Sequence, residues 1–301
     1  MTRGTPAAQR TVDVLNLLAA HRGRPLGLSE IARRIGIGKG SAHALLTTLG
    51  DAGYLVRHPT DKTYVLGPAV VGLGRAAAAA ELSALDFARP AMEGLSAELG
   101  LQCLASAALG TEIVILGRAG APVPLGLSVE VGQRLPLVPP LGTVFVAWSP
   151  PHEIDAWLRR LGASAGEDEL ARYRAAVATV RRRGYSVALE AEARARLGRA
   201  LADVAGDAGA AELRAQVLEL VAELGHEEYI LGELTGAARY QINHLAAPVR
   251  DPDGRVVLAL VLLGFTDRID AEDLAPLGRR LVAEARAVEE AMQSRTARVS
   301  S

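Results

Sequence analysis

Short polar and basic side chains recur near residue 40, with a spacing that suits contact with nucleic acid. A predicted helix over residues 39–51 carries an apolar stripe formed by Ala42, Leu45, Leu46 and Leu49. Residues at this spacing face a protein core, so the opposite side of the helix faces outward. A helix of this kind can enter the major groove and contact base edges. The residues predicted to face DNA are Lys39, Gly40, Ser41, His43, Ala44 and Thr47.

The elements around this helix predict a winged helix-turn-helix. A first helix is predicted over residues 6–21, and a second begins at Ser29. We expect the Ser29 side chain to cap this second helix and Leu28, just before it, to act as a hydrophobic staple. Glycines at 36 and 38 form the turn before the third helix. Two β-prone runs, 54–57 and 63–66, then form a hairpin, or wing. Further contacts to the DNA backbone are predicted for Arg33 and Arg34 in the second helix and Arg57, His58 and Lys62 at the wing.

Charge is distributed unevenly along the chain, in a way that favours a polyanionic partner. Up to Leu66 there are nine Lys/Arg residues and four Asp/Glu residues, a difference of +5. The whole chain carries −1, so the remainder carries −6. A basic segment beside an acidic one is typical of nucleic-acid binding. The glycine-rich stretch 36–41 does not fit a phosphate-binding P-loop, because its lysine precedes the last glycine and a helix comes before it.

The rest of the chain alternates predicted strands and helices, which favours an α/β or α+β domain. A connecting helix over residues 69–87 precedes another that begins at Pro90. The strands predicted after it lie at 102–107, 112–117, 124–129, 185–189, 241–248 and 256–265. The helices predicted there lie at 141–148, 152–161 and 167–183, with more helix within 191–235 and a last helix capped by Asp270.

Several motifs, in this order, resemble the isocitrate lyase regulator (IclR) family of transcriptional regulators. In the N-terminal part they are LSEIARRIG at 28–36, KGSAHALLTTL at 39–49, GYL at 53–55 and YVLG at 64–67. In the C-terminal part they are VGQRLPL at 131–137, LG at 141–142, RGY at 183–185, AAPVRD at 246–251 and GRVV at 254–257. The resemblance extends over most of the chain, roughly from Pro6 to Met292.

The resemblance implies an α+β protein, with an N-terminal winged helix-turn-helix joined by a helix to a GAF-like α/β effector-binding domain. The expected boundaries are 6–67, 68–88 and 89–293, with residues 191–235 as a helical insertion. The resemblance also implies a homodimer or a tetramer built as a dimer of dimers, bound to a pseudo-palindromic double-stranded operator. The expected effector is a carboxylate or another polar metabolite, bound by Leu127, Leu141, Gly142, Thr143, Glu190, Asn243 and Ala246.

The chain departs from the family pattern at four places. Ala44 stands where the family usually has Arg, so an operator sequence does not transfer. Thr143 replaces a usual Lys, and Asn243 lies near a position that often holds Cys. Residues 191–235 replace a short loop, and a connection of such length is typical of a functional or interfacial segment.

Two other classes of protein stay open at this point. A DNA-binding architectural protein without a ligand would account for the first 66 residues but not for a large apolar domain. An enzyme is disfavoured, because the histidines are scattered and no Gly-x-Ser-x-Gly motif occurs. We expect no catalytic residues, metal or cofactor. The lone Cys103 is expected in the core, and the lack of a signal peptide or membrane segment predicts a cytoplasmic protein.

Overall fold

A computed structural model describes residues 5–21, 24–121, 129–162, 165–190, 196–197, 219–221, 223, 230–234 and 238–299. The chain divides into two compact units. Of the described residues, those up to 79 belong to the first unit and those from 80 onward belong to the second. The predicted strand over 124–129 and most of the predicted insertion fall outside the described residues.

The first unit is a cluster of helices with a small sheet. Its helices are α1 (Pro6–Ala20), α2 (Leu28–Arg34) and α3 (Lys39–Asp51). Its strands are β1 (Leu26–Gly27), β2 (Leu55–Arg57) and β3 (Thr63–Leu66), in the antiparallel order β1-β3-β2. Apolar residues from every element form one core, including Val14, Leu26, Ile31, Leu46 and Tyr64. The helices and the hairpin predicted from the sequence are confirmed.

The predicted cap of the second helix is wrong. Helix α2 begins at Leu28, and its N-cap residue is Gly27, with no capping hydrogen bond from a side chain. The reason is the short strand β1, in which Leu26 pairs with Tyr64 and Gly27 pairs with Thr63. This pairing holds Gly27 in an extended conformation and lets the helix start directly after it. A two-residue strand carries no periodicity of its own, so the sequence did not predict it.

Helix α4 (Pro68–Leu99) is continuous where the sequence predicted two helices. Pro90 lies inside it, although proline has no N–H to donate to the preceding turn. Buried residues on both sides of Pro90, including Leu85, Ala88, Met92 and Leu95, all pack in the core of the second unit. This burial keeps the helix continuous past the missing hydrogen bond.

The second unit is built on an antiparallel sheet. Its strands are β4 (Gln102–Leu109), β5 (Glu112–Ala119), β6 (Arg134–Pro136), β7 (Ser186–Leu189), β8 (Arg239–Arg250), β9 (Val256–Leu263) and β10 (Arg268–Asp270). They follow the order β10-β8-β9-β4-β5-β6, and β7 also pairs with β8. The predicted strands beginning near 102, 112, 185, 241 and 256 are confirmed, whereas β6 and β10 were not predicted.

Helices flank this sheet. One face carries the main core, in which α4 and α8 (Ala271–Val299) pack against β4, β8 and β9. The other face carries Leu104, Ile115 and Leu263. The remaining helices are α5 (Thr143–Val146), α6 (Pro151–Leu158) and α7 (Glu167–Arg183), with α5 packed against β8, β9 and α7.

No helix in the described part of the chain combines the length and the apolar character needed to cross a membrane.

Candidate nucleic-acid interface and effector site

Helix α3 has one buried face and one exposed face. Ala42 and Leu46 are completely buried, and Leu49 is nearly so. Leu45 is half-buried against the same core. The predicted contact residues Lys39, Gly40, Ser41, His43, Ala44 and Thr47 are all exposed. The buried leucines therefore fix the rotation of α3 and leave a surface of small and polar side chains on its outer face.

The two arginines of α2 differ in what they contact. Arg33 is exposed. Arg34 donates to Glu30 Oε1 over 2.9 Å and contacts Nε2 of His21 over 2.9 Å, with its side chain only 16% exposed. Arg34 thus ties α2 to the end of α1. A phosphate contact by this residue requires these contacts to be exchanged, whereas Arg33 is free to turn toward a ligand.

The wing presents its basic residues at the tip of the β2–β3 hairpin. Arg57, His58 and Lys62 are all exposed. The Arg57 guanidinium lies 5.8 Å from the centre of the Tyr64 ring, and Lys62 Nζ donates to the carbonyl of Pro59 over 2.5 Å. The Nδ1 atom of His58 accepts a hydrogen bond of 3.2 Å from the backbone N–H of Asp61. These contacts order the tip locally while the three side chains stay accessible to solvent.

The predicted effector residues form two groups in the second unit. The first group precedes and begins α5. Gly142 has φ +81°, a left-handed conformation, and an added Cβ would lie 2.1 Å from Cδ1 of Leu137. Thr143 is 2% exposed and its hydroxyl donates to the carbonyl of Pro140 over 2.8 Å. The carbonyl of Leu141 accepts a hydrogen bond from Trp157 Nε1. This segment is therefore held in one conformation by buried contacts.

The second group lies on and beside β8. Asn243 is 6% exposed, and its Nδ2 donates to Glu190 Oε2 over 3.0 Å. The Oδ1 atom of Asn243 lies 2.7 Å from Nδ1 of His244, which donates when its proton is on that nitrogen. The result is a polar chain of Glu190, Asn243 and His244. Ala246 follows on the same strand, paired with Ser186 of β7 and Val261 of β9.

The structure brings Glu190 and Asn243 into direct contact, and α5, which begins at Thr143, packs against β8, the strand that carries Asn243 and Ala246. Leu127 lies outside the described residues. His244 was missed by the sequence analysis, although its position next to Asn243 on a predicted strand gave a hint. The predicted helix over 141–148 is only the single turn Thr143–Val146. A helix of one turn has a small dipole, so its N-terminus is a poor binding site for an anion.

Cys103 lies on β4 and is completely buried, as expected from the sequence. Burial raises the pKa of its thiol to about 12. A thiol needs to be ionised to act as a nucleophile, so this cysteine is a core residue and not a reactive one.

Similarity in sequence to known proteins is found for a short part of the chain. The family model of the IclR helix-turn-helix domain matches residues 7–59. The glycerol operon regulatory proteins of Streptomyces griseus and Streptomyces coelicolor are both 38% identical to this chain over 74 residues. That match covers 25% of this chain, and the chain spans only 29% of the length of these relatives.

Solved structures extend the likeness of the fold over almost the whole chain. An IclR transcriptional regulator from Alicyclobacillus acidocaldarius has a TM-score of 0.62 at 23% identity, with 96% of this chain and 99% of that chain covered. An IclR homologue from Microbacterium hydrocarbonoxydans, complexed with 4-hydroxybenzoate, has a TM-score of 0.63 at 18% identity and the same coverage. At these identities the likeness establishes a common fold.

Proposed function

We propose that this chain is a sequence-specific DNA-binding transcriptional regulator of the IclR type, controlled by a small molecule, because the IclR helix-turn-helix model matches residues 7–59 and solved IclR regulators share its fold. The observation that carries the proposal is the exposed face of α3, which presents Ser41, His43 and Thr47 on the side opposite the buried Ala42, Leu46 and Leu49. A face of short polar side chains can approach base edges closely.

The residues around α3 support backbone contacts. Lys39 at the start of the helix, Arg33 on α2 and Lys62 at the wing are all exposed cations. Such contacts fix the register of a protein on duplex DNA without reading its sequence. In this proposal His43 and Thr47 read bases, whereas the cations supply most of the affinity and its dependence on salt.

We infer that the effector binds near the second group, on and beside β8. The polar chain of Glu190, Asn243 and His244 offers both donors and acceptors to a ligand. Small residues such as Ser186 and Ala246 occupy neighbouring positions on β7 and β8. An IclR homologue with this fold was crystallised with 4-hydroxybenzoate, which supports a compact polar effector and provides a first probe.

The proposal includes a homodimer, or a dimer of dimers, on a pseudo-palindromic operator in the cytoplasm. Exposed apolar side chains support self-association, since Val71 and Leu73 on α4 and Val12 on α1 are about half exposed. A symmetric dimer would read two half-sites about 34 Å apart, one turn of the double helix. An effector that changes this spacing would change operator affinity, provided that it binds the two conformations with different affinities.

The test is selection of bound sequences from randomised duplex DNA, followed by affinity measurements over a range of salt concentrations. The full chain should select a defined site, and its affinity should fall steeply as salt rises. The double variant His43→Ala/Thr47→Ala should lose preference for that site while its affinity for unrelated DNA stays the same. The matched control is Asn16→Ala on the exposed side of α1, which should keep the site preference. Selection of no site by the full chain would contradict the proposal.

A second measurement separates a ligand-controlled regulator from an architectural DNA-binding protein without a ligand. A ligand that binds the folded state raises the melting temperature by mass action. Titration with 4-hydroxybenzoate and other small carboxylates should raise the Tm of the full chain, and Asn243→Ala should reduce the shift. A regulator whose DNA affinity responds to none of a broad metabolite panel would favour the architectural alternative.

A further inference from the structure

A cavity lined by arginines lies in the second unit, and its lining includes none of the residues predicted to bind the effector. Its volume is about 190 Å³, which corresponds to roughly six water molecules. The described residues that line it are Trp148, Arg181, Arg182, Arg183, Gly184, Pro248, Arg250, Val282 and Arg286. Five of these residues are arginines and none is acidic.

The arginines that line the cavity come from three elements, so they reach it from different directions. Arg181, Arg182 and Arg183 form the last turn of α7, which ends at Gly184. Arg250 is the last residue of β8, and Arg286 lies on α8. Cations placed together in this way repel one another unless an anion lies between them. Donors from several sides suit a tetrahedral anion, because each guanidinium can present a pair of N–H groups to two oxygens.

Two of the arginines have a structural task. Arg181 donates through Nε to the carbonyl of Ala147 and through Nη2 to that of Ser149, the latter over 3.0 Å. Arg183 donates to the carbonyls of Tyr185, Leu231 and Gly232. Burial lowers the pKa of Arg183, although the nearby Tyr185 and Glu233 act in the opposite direction. These two residues hold the walls of the cavity.

The other three arginines retain donors for a ligand. Arg250 is paired with Glu289 through Nε and Nη2, which leaves its Nη1 group, and it lies 6.0 Å from the centre of the Trp148 ring. Arg182 contacts Glu233 over 2.5 Å, but the Glu233 side chain is 79% exposed, so solvent screens this pair. Arg286 is exposed on α8. Glu289 and Glu233 offset only part of the positive charge.

We propose that this cavity is a binding site for a compact dianion, namely a phosphate group, and that its residues differ from those proposed for the effector and for DNA. Arg182 and Arg286 hold the phosphate from two sides, and Arg250 contributes its free N–H group. Because Trp148 and the carbonyls of Ala147 and Ser149 belong to the segment directly after α5, a bound phosphate also stabilises that segment.

The test is calorimetric titration of the full chain with inorganic phosphate, in the absence of DNA and at constant ionic strength. We expect saturable binding at millimolar concentrations. The double variant Arg182→Ala/Arg286→Ala should weaken it by about tenfold or more, the factor that corresponds to loss of one charge-assisted hydrogen bond. The matched control is Arg279→Ala, an exposed arginine on the same helix that is not among the residues lining the cavity, and it should bind phosphate normally.

Three results would overturn the proposal. These are absence of saturable phosphate binding by the full chain, equal binding by the double variant, and equal binding of malonate, a dicarboxylate of similar charge. Fluorescence of a Trp157→Phe variant, in which Trp148 is the only tryptophan, gives an independent readout, since an anion between Arg182 and Arg286 changes the surroundings of the indole. None of these measurements depends on DNA or on the effector. Failure of the phosphate site can therefore be distinguished from failure of the proposed function in transcription.

Discussion

The two candidate sites expose their polar groups in opposite ways. On α3 the residues proposed to read DNA lie on an exposed helical face, with Leu46 completely buried behind them. In the second unit Asn243 is buried, and it is bonded to Glu190 and lies against His244. A surface that reads a rigid polymer has to protrude, whereas a site that encloses a small molecule has to be surrounded by protein.

The largest effect is expected from the two faces of α3. Leu46→Ala removes a fully buried side chain and should lower the free energy of unfolding by about 3 kcal/mol. His43→Ala, three residues earlier on the exposed face, should change it by less than about 0.5 kcal/mol. Denaturant unfolding followed by circular dichroism measures both values. Equal losses would mean that His43 is a structural residue and that the exposed face has been assigned wrongly.

Alkaline pH should test the burial of Cys103 in the second unit. The thiol ionises near pH 9.0 in the unfolded chain, whereas burial raises its pKa to about 12 in the folded one. The contribution of this thiol to stability is thus fully present below pH 9.0. It falls by about 1.4 kcal/mol per pH unit as pH rises toward 12, because only the unfolded chain releases the proton.

Cys103→Ala should remove this part of the alkaline slope. Burial also raises the pKa of Tyr173 to about 12, so a smaller slope should persist in the variant above pH 10. The measurement is the free energy of unfolding at several values between pH 8 and pH 11. If wild type and variant lost stability in parallel, the thiol would not be buried as the structure has it.

A smaller effect is expected at the polar chain. Asn243→Ala removes the hydrogen bonds to Glu190 and His244 and should lower the free energy of unfolding by about 1 kcal/mol. The loss is moderate because Glu190 is exposed and can bond to water instead. Asn16→Ala, an exposed asparagine in the first unit, is the matched control and should be neutral. If Asn243→Ala were equally neutral, the buried hydrogen bonds would contribute nothing to the second unit.

The smallest effect should come from the wing. Lys62→Gln removes one exposed charge and should lower the slope of log affinity against log salt by about one, with equal losses on all DNA sequences. Glutamine keeps a long polar side chain at this position, where φ is +57°. Arg255→Gln, an exposed cation in the second unit, should leave the slope unchanged. An unchanged slope for Lys62→Gln would remove the wing tip from the proposed interface.

The helices and the hairpin of the first unit were predicted because they depend on local information, whereas the strand β1 was not predicted. The apolar spacing of Ala42, Leu45, Leu46 and Leu49 predicted the face that α3 buries, and the glycines before and after the helix predicted its limits. The capping role of Ser29 was predicted wrongly, since pairing of Gly27 with Thr63 moved the start of α2. That pairing joins residues distant in the chain, and a local pattern does not contain it.

The helix interrupted at Pro90 illustrates the same limit in the second unit. Proline by itself predicts a break, but the buried side chains on either side keep α4 continuous. The effector residues came from resemblance to a family, and the contact between Glu190 and Asn243 became visible only when β7 and β8 were paired. The run Arg181–Arg183 was visible in the sequence, but its meeting with Arg250 and Arg286 around one cavity was not.

Helical and strand periodicity, turn residues and the local charge of +5 were sufficient to determine the winged helix and the face of α3 that points outward. These properties depend on residues within a few positions of one another, which is the range over which a helix or hairpin is specified. The polar chain at Asn243 and the convergence of Arg182, Arg250 and Arg286 were decided by the tertiary structure. Their partners lie tens of residues apart, and only the packing of sheet and helices sets the distances between them.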